Sequence, residues 1–188
     1  MRTTLCILTA VTTAVVSAGC SQSNHTASQG DASSGTPQSQ QAAIDGVVAI
    51  YRRTIEHFPA GTTFDSTRYG GHGNTTDCDD NAIGDEVSPV SYQDLRDMRV
   101  PTGTDTSTLV SRLGDVWTSF GWKVVEKDSA PRPNRYATTP DGYGINVVRG
   151  YPNADSPTLA ATSPCFDGNL INRDLGAPVV IESTGEQG

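Results

Sequence analysis

Apolar residues in the first part of the folded region repeat with the spacing of one helix face. Counted from the first, they fall three, four, seven, eleven and fourteen positions along: Ile44, Val47, Val48, Tyr51, Ile55 and Phe58. This spacing predicts an amphipathic helix packed on one side and ended by Pro59. Arg52 and Arg53 fall on the opposite face, where they fit either a docking patch or a solvated surface.

A second stretch has the same helical period. Its apolar face consists of Leu109, Val110, Leu113, Val116, Trp117 and Phe120. Asp105 or Thr106 is a suitable N-cap, and Gly121 lies just past the end, where a glycine adopts the left-handed conformation at little cost. The next residues, Trp122–Lys127, are rich in aromatic and β-branched side chains and predict a strand.

A β-hairpin is predicted in the second half of the chain. The strands Arg135–Thr139 and Tyr143–Arg149 flank Pro140-Asp141-Gly142. Proline has a fixed φ and glycine a free one, so this tripeptide favours a tight turn.

Other segments complete the predicted fold. Strand-like composition occurs in three of them: Thr62–Tyr69, Thr158–Thr162 and Pro178–Glu182, the last as a short edge strand. Ser91–Met98 is predicted instead as a short helical turn, ended by Pro101. Together the elements predict an α+β fold, with helices packed on one face of an antiparallel sheet in a two-layer sandwich.

The N-terminus has the pattern of a secretory leader. Arg2 precedes an apolar run from Leu5 to Val16, which is too short to span a bilayer as a helix. The small residues Ser17-Ala18-Gly19 then lead to Cys20, which looks like a bacterial lipobox, although leucine is usual where Ser17 stands. In that motif a diacylglycerol is attached to the cysteine sulfur and the chain is cut before it. The alternative is an ordinary secretory signal cut elsewhere.

This reading divides the chain into three parts. Residues 1–19 are the signal peptide, residues 20–40 are the acylated cysteine and a flexible tether, and residues 41–188 are a single domain. The tether is predicted because its Ser, Gln, Gly and Thr residues cannot bury enough apolar surface to offset their ordering entropy.

The cysteines agree with export. The chain has four: Cys6 is lost with the leader and Cys20 is acylated, which leaves Cys78 and Cys165 as a pair in an oxidising compartment. One disulfide is predicted between them, with two free thiols as the alternative. No metal site is expected, since no histidine has ligand spacing with either cysteine.

The net charge excludes one class of partner. It is −8 for the whole chain, and loss of Arg2 leaves 12 basic against 21 acidic residues, or −9. An acidic domain is repelled by nucleic acid and by anionic headgroups, so we expect it to stand off the membrane on its tether.

No stretch carries a catalytic signature. The motifs of common hydrolases, metalloproteases and dinucleotide enzymes are missing, no cofactor is indicated, and only His57 or His72 could serve a hydrolase as general base. A binding protein is therefore expected, with an envelope protein or small ligand as partner. An alternative is a carrier of a lipid or small apolar ligand in a cleft between helices and sheet, lined by aromatic residues: Trp117, Phe120, Trp122, Tyr136 and Tyr143.

The layout resembles a known group of proteins. The lipobox, the Ser/Gln/Thr-rich tether and the run from WTSFGWKVV to SPC are similar to small actinobacterial lipoproteins, in particular mycobacterial cell-envelope lipoproteins of the LppA type. The resemblance implies a lipid-anchored protein on the outer face of the cytoplasmic membrane, held by acyl chains on Cys20. It implies no reaction and no catalytic residues.

Overall fold

The computed structural model describes residues 35–79, 87–149, 156–172 and 174–185. The predicted signal peptide, Cys20 and most of the tether lie outside the described residues. Within them are two α-helices, α1 (Gln40–Ile55) and α2 (Leu109–Ser119). Eight strands form one sheet: β1 (Thr63–Asp65), β2 (Asn74–Asp77), β3 (Val90–Arg99), β4 (Lys123–Val125), β5 (Asn134–Thr138), β6 (Gly144–Val148), β7 (Thr158–Thr162) and β8 (Val180–Glu182).

The sheet is antiparallel throughout, in the order β4-β5-β6-β7-β3-β1-β8. The long strand β3 pairs with β7 along one side, and on the other side with β2 near its start and β1 near its end. Strands β4 and β8 are therefore the two ends of the strand order. The predicted α+β sandwich is confirmed.

Both helices pack on the same face of the sheet. The register aligns buried residues in rows across the strands, such as Ala137, Ile145 and Ala161, which are 4%, 2% and 0% exposed. Against this face lie the buried sides of α1 and α2, which are joined where the Trp117 indole donates to the Thr54 hydroxyl at 3.2 Å. The core therefore lies between the helices and this face of the sheet, and no helix formed by the described residues covers the opposite face.

Several element predictions are confirmed. The hairpin turn has Gly142 at φ 89°, and the strand Thr158–Thr162 has the predicted bounds. Gly121 has φ 77° just after α2, as predicted for a C-cap. The predicted N-cap of α2 at Asp105 or Thr106 is wrong: the N-cap is Thr108, and Asp105 accepts hydrogen bonds from the Ser107 backbone and hydroxyl before the helix begins.

The predicted helical turn at Ser91–Met98 is wrong, because this segment is most of β3. Its apolar residues Tyr92, Leu95 and Met98 are three apart, which imitates a helix face. The alternation of a strand is hidden because Asp94 and Arg96, on the buried face with Tyr92 and Met98, are charged. Similarly, only Thr63–Asp65 of the predicted strand Thr62–Tyr69 is extended, and a 3₁₀ turn follows at Thr67–Tyr69.

Candidate functional site

The predicted disulfide is present between Cys78 and Cys165, with the sulfurs 2.03 Å apart. Cys78 follows β2, and its backbone N–H donates to the Pro89 carbonyl. Cys165 precedes Phe166, which exchanges backbone hydrogen bonds with Val90. The bridge therefore ties the chain on both sides of the start of β3, and both cysteines lie at the exposed surface.

The five aromatic residues predicted to line a cleft are not brought together in one. Trp117 is 0% exposed within the core, and Tyr143 is 8% exposed with its ring against α1. Tyr136 belongs to the opposite face of the sheet, since it pairs with Asn146 one position out of phase with the buried row. Phe120 and Trp122 meet edge to face at 5.0 Å beside the helix ends.

Tyr143 explains a glycine in the middle of α1. A methyl group at Gly46 would overlap the Tyr143 ring. We expect overpacking to cost about 1 to 3 kcal/mol, of which the higher helix propensity of alanine offsets roughly 1, so Gly46→Ala should lower the free energy of unfolding by up to about 2 kcal/mol. Urea unfolding measures the change. In a Tyr143→Leu background the same substitution should be neutral or stabilising, and an equal loss there would contradict this explanation.

Three of the predicted site residues do lie together at the C-terminal ends of the helices. The His57 ring meets Phe120 at 5.1 Å, Phe120 meets Trp122, and the Arg53 guanidinium lies 4.0 Å from the centre of the Phe120 ring. Arginine suits this position because the helix dipole is negative there, and the ring attracts the cation. The Arg53 guanidinium therefore covers the Phe120 ring and places a positive charge at the C-terminal ends of the helices.

The two candidate histidines lie on different elements. His57 follows α1 and His72 follows the 3₁₀ turn, and both are exposed. Their backbone carbonyls accept hydrogen bonds, from Arg112 and from the Tyr92 hydroxyl respectively. Among the described residues neither imidazole is hydrogen-bonded to a hydroxyl or carboxylate, so no paired nucleophile and base is assembled around either ring.

A buried ion pair, which the hydropathy pattern does not reveal, lies between α1 and the sheet. Asp94 and Arg96 are both 0% exposed, and the guanidinium donates twice to one carboxylate oxygen, at 2.9 and 2.6 Å. Its other donors reach the carbonyls of Phe64, Pro178 and Val179. Burial raises the pKa of Asp94, while the charge and hydrogen bonds of Arg96 lower it. Arg96 thereby holds the C-terminal segment on the sheet.

One open groove runs beside α1. About 600 Å³ lies between this helix and residues Gly176 and Pro178, and a further 320 Å³ or so continues along β8. Arg52 and Glu56 border both parts, so the predicted arginine surface faces a groove with charges of both signs. The strand β8 beside it presents Val180, which is 42% exposed.

A second groove, the sheet groove, lies on the face of the sheet away from the helices. It has a volume of about 340 Å³ and is bordered by Lys123, Lys127 and Tyr136. Its lining is mixed: Thr138, Asn146 and Thr162 are polar, whereas Val125 is an apolar side chain that is 43% exposed. The Lys127 ammonium lies 4.1 Å from the centre of the Tyr136 ring, which places the cation at the wall of the groove.

The described part of the chain holds no group of three or more histidine, cysteine, aspartate or glutamate side chains arranged to bind a metal ion. It also holds no helix with the length and hydropathy needed to cross a membrane.

Comparison with known proteins does not identify a relative of this chain. No protein-family model, curated protein or solved structure matches the chain. The interpretation of its surfaces rests on the residues themselves.

Proposed function

We propose that the protein is a lipid-anchored lipoprotein of the bacterial cell envelope, with its domain on the extracytoplasmic face of the cytoplasmic membrane. In this proposal Cys20 carries the acyl chains, and the domain acts by binding a ligand or protein partner. The small lipoproteins of the LppA type, which the layout resembles, are the proposed relatives.

The observation that carries the proposal is the disulfide Cys78–Cys165. Structural disulfides persist in oxidising compartments and are rare in the cytosol, so the bridge supports export. Export in turn gives a role to the leader, whose apolar run ends at Ser17-Ala18-Gly19-Cys20. One acyl chain holds a protein on a membrane only marginally, so stable anchoring requires the two or three chains of a mature lipoprotein.

Binding is the proposed activity because the surfaces suit contact better than chemistry. Two grooves are open on the described surface, one beside α1 and one on the sheet. The aromatic residues that would line an apolar carrier site are instead distributed between the core, the helix ends and the far face of the sheet. A polar or charged ligand therefore fits better than a lipid between the layers.

Replacing Cys20 by alanine tests the anchor. In a bacterium that matures lipoproteins, the unaltered chain should stay with membranes until detergent is added, and its N-terminal peptide should begin at Cys20 with the added mass of a diacylglyceryl group. The Cys20→Ala protein should lack that mass and leave the membrane fraction. Cys6→Ala, which changes a leader cysteine, is the matched control and should be acylated normally. An unmodified N-terminus at another residue would contradict the proposal.

A further inference from the structure

The sheet groove owes its depth to a missing side chain. Gly144 lies on the floor, paired in register with Thr138 on one side and Thr162 on the other. Its φ is not in the left-handed region, and a Cβ placed on it would meet nothing within 4 Å. Neither backbone strain nor a close neighbour therefore requires glycine, whose presence in a strand weakens the sheet. A side chain at position 144 would instead fill the groove.

Both lysines of the chain border the sheet groove. These lysines are Lys123 and Lys127. Within the described residues neither forms an ion pair, whereas five arginines do: Arg68, Arg96, Arg99, Arg132 and Arg135. Two unpaired ammonium groups on a protein of net charge −8 make the groove a local site for an anion.

The floor indicates what else the ligand contains. The side chains of Thr138 and Asn146 have no hydrogen-bond partner among the described residues, so a hydroxyl and an amide are free to bind. The backbone groups of β5 and β6 beneath the groove are used by the strand ladders, whereas β4 at its border pairs with β5 alone. An extended peptide lying over β5 and β6 would find no main-chain partners in those two strands, whereas the hydroxyl groups of a sugar match the side chains of Thr138 and Asn146.

We propose that the sheet groove binds an acidic saccharide, with Lys123 and Lys127 contacting its anionic groups and Thr138 and Asn146 its hydroxyls. This inference rests on the proposed function for its setting, since it names the ligand class of the binding protein. It does not depend on acylation, so the protein unmodified at Cys20 should bind equally well in solution.

Calorimetric titration of the detergent-solubilised full chain tests the inference with three probes. Hexagalacturonate is an acidic saccharide, maltohexaose is neutral, and hexaglutamate is an anion without sugar hydroxyls. We expect hexagalacturonate to bind at least about tenfold more tightly than either of the others, and less tightly at high salt. The inference is overturned if hexaglutamate binds equally well, which would indicate an acidic peptide, or if none of the probes binds.

Variants locate the binding. Gly144→Val suits a strand and should weaken hexagalacturonate binding at least about tenfold by filling the groove, and Lys123→Gln with Lys127→Gln should weaken it about tenfold. The controls are Gly35→Val, at another glycine with nothing within 4 Å, and Arg53→Gln, which removes a positive charge from the helix layer. Circular dichroism verifies that each variant is folded. Full binding by folded Gly144→Val would place the ligand elsewhere and overturn the inference.

Discussion

Replacing Arg96 by methionine is expected to lower the free energy of unfolding by about 3 to 5 kcal/mol, because a buried carboxylate would lose its partner. The substitution also removes the donors to Phe64, Pro178 and Val179. Amide hydrogen exchange should therefore increase most in β8, and urea unfolding measures the total loss. Arg99→Met is the matched control from the same strand. The Arg99 side chain is 61% exposed where it pairs with Asp65, so about 1 kcal/mol or less should be lost.

The loss at Arg96 should depend on pH in a definite direction. Without Arg96 only the backbone hydrogen bond from Leu95 opposes the burial that raises the pKa of Asp94, so the folded variant holds the proton more tightly than the unfolded chain. Its free energy of unfolding should then fall as the pH rises from about 4 to about 7. Adding Asp94→Asn removes the buried charge and should restore part of the stability. A loss that is equal at both pH values, with no recovery in the double variant, would contradict the role assigned to the pair.

Replacing Cys78 and Cys165 together by serine is expected to lower the free energy of unfolding by about 4 to 5 kcal/mol. The bridge joins residues 87 positions apart, and opening so long a loop returns that much entropy to the unfolded chain in the simple model. Serine itself should cost little because both positions are exposed. Urea unfolding of the variant measures the loss, which is a substantial share of the stability of a domain of this size.

Reduction provides the control for the disulfide. The unaltered protein in reductant should reach the stability of the double serine variant, while the variant itself should not respond to reductant. Thiol titration of the unfolded, unreduced protein should find no free thiol from either cysteine. Two titratable thiols, or a loss below about 1 kcal/mol, would show that this bridge is not a main source of stability.

Local patterns predicted much of the fold. The apolar period of Ile44 to Phe58 located α1, and Pro140-Asp141-Gly142 located the hairpin, because in both cases the determining residues are neighbours in the chain. The disulfide is predicted by elimination, since Cys6 lies in the predicted leader and Cys20 is the predicted acylation site. The strand β3 was missed because Asp94 and Arg96 are buried as a pair, and burial of a charge is not visible in hydropathy.

The surfaces could not be predicted in the same way. The sequence predicts one cleft for the five aromatic residues because they lie on the second helix and on the strands that follow it, but strand phase sends Tyr136 to the opposite face from Tyr143. From the sequence, Gly144 is predicted only as part of a strand. Its significance depends on register, which places Gly144 between Thr138 and Thr162.

By itself the sequence determined the helices, the hairpin and the pairing of Cys78 with Cys165, since these depend on local spacing and on residue counts. It also carries the basis for the proposed anchor at Cys20, which is a short linear motif. Only the tertiary structure decided that Arg96 holds the C-terminal segment and that both lysines border one groove. Those arrangements join residues from distant strands, and strand order and register are set by packing of the whole sheet rather than by neighbours in the chain.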